Sequence, residues 1–128
     1  MLKGDRFNHT YKVTSAIYNG FITLFEDRNP MHTDTAFAKS KGFADKLMHG
    51  NILNGFLSHF VGELLPVKDV VIISQEIRYP KPVYLNDELS FTALVEDVHE
   101  SVSTVEFVFV FSKADVTVAK GSMMIRLI

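Results

Sequence analysis

The chain has 128 residues, 47% hydrophobic and 22% charged, so it can build one hydrophobic core and needs no second folding unit. Its 13 basic and 15 acidic residues give a net charge of -2 without long runs of either sign, which argues against nucleic acid as a partner. The absence of cysteine excludes disulfides, thiolate nucleophiles and cysteine-based zinc sites. Residues 1–20 are too polar for a secretory signal and no segment has membrane-spanning length, so we expect a cytoplasmic protein without a membrane partner.

The first half of the sequence predicts helices after a short opening strand around residues 11–13. A first helix is expected over residues 17–25, where apolar residues recur on one face. A short helix should follow Asp34, with Gly42 as its left-handed terminator. The widest apolar stripe covers about residues 50–65, which predicts a deeply buried central helix.

After Pro66 the hydrophobic period changes to two, as in strands that bury one face. A run of antiparallel strands around one very apolar helix predicts an α+β fold in which the sheet wraps the helix. The strands are expected at about residues 70–79, 89–95, 105–111 and 123–127, with turns at Asn86-Asp87 and Lys113-Ala114-Asp115.

Asp27 and His32 lie in the predicted turn between the first two helices. Pro30 fixes one backbone angle and denies helical geometry to Asn29, so the segment should form a rigid bend. Such a bend can direct a carboxylate and an imidazole toward one point, as activation of water and transfer of a proton require. Residue types alone favour the alternative that these are ordinary turn residues, so both interpretations stay open at this point.

His49-Gly50 stands where the central helix begins. Free N–H groups at a helix start can hold an oxygen that gains negative charge, and Gly50 lets a ligand approach closely. The alternative is a helix-entry glycine beside a packing or capping histidine. His32, Asp34 and His49 also offer metal-ligand atoms, but no ligand spacing typical of a metal site is present and Asp34 can cap a helix instead. No metal site is therefore predicted.

A dense pattern of residues carries a resemblance to a known family. It consists of Asp27-x-Asn29-Pro30-x-His32-x-Asp34, Phe37-Ala38, Gly42-Phe43, His49-Gly50, Ser58, Gly62 and Leu65-Pro66, followed more loosely by Pro82-Val83-x-x-x-Asp87-x-Leu89. With this pattern the chain resembles the MaoC-like, hydratase-2 type hot-dog proteins, which include (R)-specific enoyl-CoA hydratases. The resemblance covers nearly the whole chain.

The resemblance implies a single hot-dog domain over residues 1–128, with a long central helix wrapped by a curved antiparallel β-sheet. Proteins of this family usually form homodimers in which two sheets join. They need no cofactor, since coenzyme A or the pantetheine of an acyl carrier protein is part of the substrate. The reaction implied is (R)-specific hydration of trans-2-enoyl-CoA, or dehydration of (R)-3-hydroxyacyl-CoA in the reverse direction.

The resemblance also assigns residue roles. Asp27 and His32 would be the catalytic pair that activates water, and Asn29 would orient them by hydrogen bonding. The Gly50 N–H would bind the thioester oxygen as it gains charge. Substrate contacts are expected from Ser58, His49 and Asn51.

Other functions remain open from the sequence. The same chemistry can act on an acyl-carrier-protein thioester in lipid, polyketide or surface-polymer synthesis, with the carrier protein as a partner. A non-catalytic acyl-thioester-binding hot-dog module is a further alternative. Asn51 and Asn54 place amides where the family commonly has apolar or small residues, so the shape of the acyl pocket is not predicted. The short chain favours short or medium acyl groups.

Overall fold

The computed structural model describes residues 1–128 and contains one five-stranded antiparallel sheet. The strand order β1-β3-β4-β5-β2 places β1 and β2 at the two edges. The strands are β1 (Arg6–Lys12), β2 (Val70–Arg78), β3 (Glu88–His99), β4 (Thr104–Lys113) and β5 (Val116–Leu127). All four strands predicted after Pro66 are therefore confirmed.

The helices precede β2, apart from one short 3-10 turn between β3 and β4. They are α1 (Ser15–Phe25), α2 (Pro30–Thr33), α3 (Thr35–Ser40) and α4 (Ile52–His59), the last continuing as a π-helical turn over Phe60–Leu64. The Thr14 hydroxyl accepts the Ile17 N–H and caps α1. Asp34 caps α3 in the same way by accepting the Phe37 N–H, as predicted. The π-turn ends the regular part of the predicted central helix early.

The core lies between α4 and the sheet. Leu53, Leu57 and Phe60 of the central helix are fully buried. The alternating apolar residues of β3 and β4, including Phe91, Phe107, Phe109 and Phe111, pack in the same cluster. The period-two pattern thus identified the inner face of the sheet correctly, and the predicted α+β hot-dog arrangement is confirmed.

The edge strand β2 departs from the prediction because it does not bury one face. Val71, Ile72 and Ile73 are 43%, 38% and 48% exposed. A bulge between Ile72 and Ser74 shifts the register of β2 against β5. An apolar edge strand of this kind is left open to solvent in the single chain.

Gly121 of β5 allows β2 to lie close to its neighbour. A Cβ atom at this position would stand 1.8 Å from the main-chain oxygen of Glu76 in β2. Only glycine therefore fits the present spacing of the two strands. Among the helices, none combines the length and apolar character needed to cross a bilayer.

Candidate active site

Asp27 lies in the short link between α1 and α2. Glu26 adopts a left-handed conformation with φ 59° and ends α1. The Asn29 side chain accepts the Met31 N–H at 2.9 Å and caps α2, while Pro30 occupies the first helical position. The Asn29 main-chain N–H donates to the Asp27 carboxylate at 3.2 Å. Asn29 thus contacts Asp27 through its backbone, and its side chain shapes the turn.

His32 is held by a carbonyl group. Its Nδ1 lies 2.8 Å from the Leu47 carbonyl oxygen. Because a carbonyl oxygen can only accept, Nδ1 carries the hydrogen and Nε2 of the neutral ring keeps its lone pair. Nε2 makes no hydrogen bond within the chain. His32 can therefore accept a proton at Nε2.

Tyr18 is a contributor to the site that the sequence patterns did not reveal. It is fully buried in α1, and its hydroxyl lies 2.6 Å from the His32 carbonyl oxygen and 2.8 Å from the Leu47 carbonyl oxygen. Burial, with a further effect of the Asp45 charge, raises the pKa of Tyr18 to about 12, so the group remains a donor. Tyr18 thereby contacts both the main chain of His32 and the Leu47 carbonyl that accepts the hydrogen bond of the His32 ring.

His49 is buried beneath His32, and the two rings stack with centroids 3.8 Å apart. Its Nε2 donates to the Asp27 carbonyl oxygen at 2.9 Å and lies 3.7 Å from the Asp27 carboxylate. Its Nδ1 is buried without a hydrogen-bond partner. Burial lowers the pKa of His49 from its ordinary 6.5, against the opposing effect of the bond to the Asp27 carbonyl. His49 is thus a neutral support that contacts both members of the predicted pair.

Asp27, His32 and His49 form one cluster, since one polar side-chain atom of each lies within 4.8 Å of the others. A metal ion would need a lone pair from each histidine. His49 Nε2, the nitrogen near the Asp27 carboxylate, is instead committed to the Asp27 carbonyl, while the other ring nitrogen is buried. Asp34 lies apart as the cap of α3. One free imidazole nitrogen beside one carboxylate suits proton transfer better than metal binding.

Gly50 follows His49 and precedes α4. No hydrogen bond within the chain uses its N–H, which is free for a ligand. The Tyr79 ring packs over Gly50, where a Cβ atom would stand 3.1 Å from Tyr79 Cε1. The close packing of Tyr79 therefore gives a structural reason for glycine at position 50, separate from the approach of a ligand.

A groove of about 800 Å³ runs between α1 and α4 and has Asp27 in its lining. Most of the lining is apolar and includes Ile17, Phe21 and Phe56. Asn51, one of the residues expected to contact substrate, lies in the lining of this groove. Ser58 is exposed outside the lining, and its side chain makes no hydrogen bond within the chain. The groove can hold an apolar group that reaches Asp27.

Sequence comparison places the chain among known proteins. The family described as "MaoC like domain" matches residues 3–116. The (R)-specific enoyl-CoA hydratase of Aeromonas caviae is 31% identical over 128 residues, which cover 97% of this chain and 93% of that protein. The mitochondrial 3-hydroxyacyl-[acyl-carrier-protein] dehydratase of Arabidopsis thaliana is 28% identical over 67% of this chain and 51% of its own length.

Among solved structures, the (R)-hydratase from A. caviae involved in PHA biosynthesis superposes with a TM-score of 0.90. The match covers 100% of this chain and 98% of that one, at 24% sequence identity. This likeness supports the assignment of the fold.

Proposed function

Because the chain belongs to the MaoC-like domain family, we propose that it catalyses the (R)-specific hydration of trans-2-enoyl-CoA and the reverse dehydration of (R)-3-hydroxyacyl-CoA. It is a hydro-lyase and needs no cofactor beyond the coenzyme A of the substrate. The observation that carries the proposal is the cluster of the Asp27 carboxylate with His32 Nε2, which has no hydrogen-bond partner within the chain, beside an apolar groove. The A. caviae relative, which is named an (R)-specific enoyl-CoA hydratase, supports the proposal along nearly the whole chain.

The reaction requires water to be held and polarised at C3 of the enoyl group. In the proposed mechanism the Asp27 carboxylate and His32 Nε2 both accept hydrogen bonds from one water molecule. The water oxygen bonds to C3 while the pair takes its proton and returns a proton to C2. One water is consumed, and neither side chain changes its net protonation over the cycle.

The thioester oxygen gains negative charge while C3 is attacked. The free Gly50 N–H at the start of α4 is the proposed donor to this oxygen. An oxyanion donor of this kind lowers the barrier by about 3 kcal/mol. Neutral His49 supports the geometry by contacting Asp27 through a hydrogen bond and His32 through its ring.

An acyl carrier protein is the alternative carrier of the acyl group, and the Arabidopsis relative is named for such a substrate. The chemistry at C2 and C3 is the same for both carriers. Turnover of crotonyl-CoA should be compared with turnover of the matching crotonyl carrier protein. A strong preference for the carrier protein would replace coenzyme A in the proposal.

The central test is substitution of the pair. We expect Asp27→Asn and His32→Ala to lower kcat/KM for crotonyl-CoA by about two to four decades, the usual contribution of a general acid or base. The measurement is the loss of enoyl-thioester absorbance, with circular dichroism to check the fold. His9→Ala, which removes an exposed histidine from β1, is the matched control and should keep the wild-type rate. Near-wild-type rates in both site variants would rule out the assignment.

We also propose that the protein forms a homodimer through β2. The exposed Val71, Ile72 and Ile73 give this edge strand an apolar surface, and an edge strand has unpaired N–H and C=O groups. Pairing of β2 with its copy would satisfy these groups and cover the apolar side chains.

A further inference from the structure

Three side-chain amides form a hydrogen-bonded row beside the groove. Gln75 of β2 donates from Nε2 to the Asn54 side-chain oxygen at 2.9 Å. Asn54 of α4 donates in turn from Nδ2 to the Asn51 side-chain oxygen at 2.9 Å. All amides in the row point in one direction, so the Asn51 NH₂ group is its free donor end. Hydrogen bonds aligned in this way polarise one another and strengthen the terminal donor.

Neither Asn51 nor Asn54 caps α4, and Asn54 also contacts the Tyr79 hydroxyl. Asn51 occupies the capping position of α4, yet its side chain makes no capping hydrogen bond. Asn54 lies inside α4, where asparagine is a weaker helix former than alanine or leucine. Both side chains line the groove instead. The donor end of the row, Asn51, and its neighbour Asn54 therefore belong to the wall of the groove, and Gln75 supports them from β2.

The rest of the groove determines what the row can bind. Its other lining residues are apolar or glycine, except Asp27, and no cationic side chain is among them. A simple alkyl chain lying over the amides would remove them from water without replacing their hydrogen bonds, which is unfavourable. A carboxylate would lack a cation and would face Asp27. An uncharged group that accepts and donates hydrogen bonds fits these conditions.

We propose that Asn51, Asn54 and Gln75 form a subsite for an uncharged hydroxyl or amide group of the acyl-thioester substrate. The inference rests on the proposed function and specifies its substrate class. Two parts of such a substrate carry this chemistry. One is a hydroxyl group on the acyl chain, and the other is an amide of the pantetheine arm.

Binding of unreactive saturated thioesters tests the subsite without depending on turnover. One pair is hexanoyl-CoA and 6-hydroxyhexanoyl-CoA, which differ only in the acyl chain. The other pair is hexanoyl-N-acetylcysteamine and a hexanoyl thioester of equal length whose thiol arm has methylene groups in place of the amide. Affinities are measured by calorimetry for the wild type, Asn51→Leu, Asn54→Leu and the control Asn19→Leu. Asn19 is exposed on α1 outside the groove lining.

We expect the wild type to prefer the hydrogen-bonding member of one pair by about tenfold, the effect of one well-made hydrogen bond. Asn51→Leu and Asn54→Leu should lose this preference, and Asn19→Leu should keep it. A preference in the first pair identifies the acyl hydroxyl as the ligand, and one in the second identifies the pantetheine amide. Equal affinities within both pairs for the wild type, or a preference that survives in both groove variants, would overturn the subsite. Absence of crotonyl-CoA turnover would instead count against the proposed function, which these affinities do not measure.

Discussion

The two stacked histidines of the site use opposite ring nitrogens for their hydrogen bonds to the main chain. His32 bonds to a carbonyl oxygen through Nδ1 and leaves Nε2 free, whereas His49 bonds to a carbonyl oxygen through Nε2. The remaining lone pair of His49 is therefore on the buried, unpartnered Nδ1. Proton transfer is therefore assigned to His32 and a supporting role to His49, although their rings are in contact.

Removal of the Tyr18 hydroxyl should affect catalysis more than substrate binding. Tyr18→Phe keeps the ring but frees the carbonyl groups of Leu47 and His32, so the imidazole loses part of its orientation. We expect kcat to fall about fivefold with little change in KM, since a lost hydrogen bond is worth about 1 kcal/mol. Tyr11→Phe is the matched control, because Tyr11 is also buried and its hydroxyl bonds to His59. A change in KM alone, or an equal loss of kcat in both variants, would contradict a positioning role for Tyr18.

The pH dependence of stability should report the buried state of His49. Its pKa is lowered by burial, so below its ordinary value of 6.5 the unfolded chain binds the proton more readily. The stabilisation from neutral His49 is thus present above pH 6.5 and is lost as the pH falls below it. We expect the free energy of unfolding, measured in urea, to decrease from pH 7 to pH 5 more steeply in the wild type than in His49→Gln. Parallel curves for the two proteins would show that His49 titrates alike when folded and unfolded.

At the level of elements, periodicity predicted α4 and the strands β3, β4 and β5, because each of them buries one apolar face. It missed α2, whose four residues are too few to show a period. The π-helical turn was also not predicted, since its apolar residues continue the pattern of α4. The prediction that β2 buries one face was wrong. Its valines and isoleucines resemble those of an inner strand, whereas β2 lies at the edge of the sheet. Position in the sheet depends on long-range pairing that a local pattern does not contain.

The spacing of β2 and β5 gives a prediction for Gly121. Gly121→Ala would place a methyl group against the Glu76 carbonyl and the Phe109 ring, so β2 must shift. We expect a loss of about 2–3 kcal/mol in the free energy of unfolding, as for other overpacked sites. Gly55→Ala provides the control, since its Cβ would meet nothing within 4 Å and alanine favours a helix by about 1 kcal/mol. Similar stability changes of the two variants in urea denaturation would show that β2 has room at Gly121.

At the scale of the whole molecule, the proposed catalytic groups come from one stretch between Asp27 and Gly50, and the sheet provides the frame behind them. The local pattern around Asp27, His32 and Gly50 could therefore be found from the sequence. Tyr18 could not, because its partners are main-chain oxygens that every residue possesses. From the sequence, only Asn51 and Asn54 stood out as unusual residues. The row that they form with Gln75 could not be predicted, since Gln75 lies on β2, which is distant in the sequence.

The exposed edge of β2 sets an expectation for assembly. Ile73→Lys places a charge in the proposed interface, so we expect it to convert a dimer into a monomer in sedimentation-velocity measurements. Val102→Lys is the matched control, because Val102 is 54% exposed in the link between β3 and β4 and should leave the dimer intact. A wild-type monomer at high concentration, or a dimer that persists in Ile73→Lys, would exclude pairing through β2.

The acceptors that position His32 and His49 are the carbonyl oxygens of Leu47 and Asp27. A main-chain carbonyl group stays in place when the side chain of its residue is substituted, provided that the backbone conformation is unchanged. Position 47 is therefore free to drift in evolution, although it holds the imidazole proposed to accept the proton. Related sequences should vary there without loss of activity, and the importance of this position would be invisible to any measure of conservation.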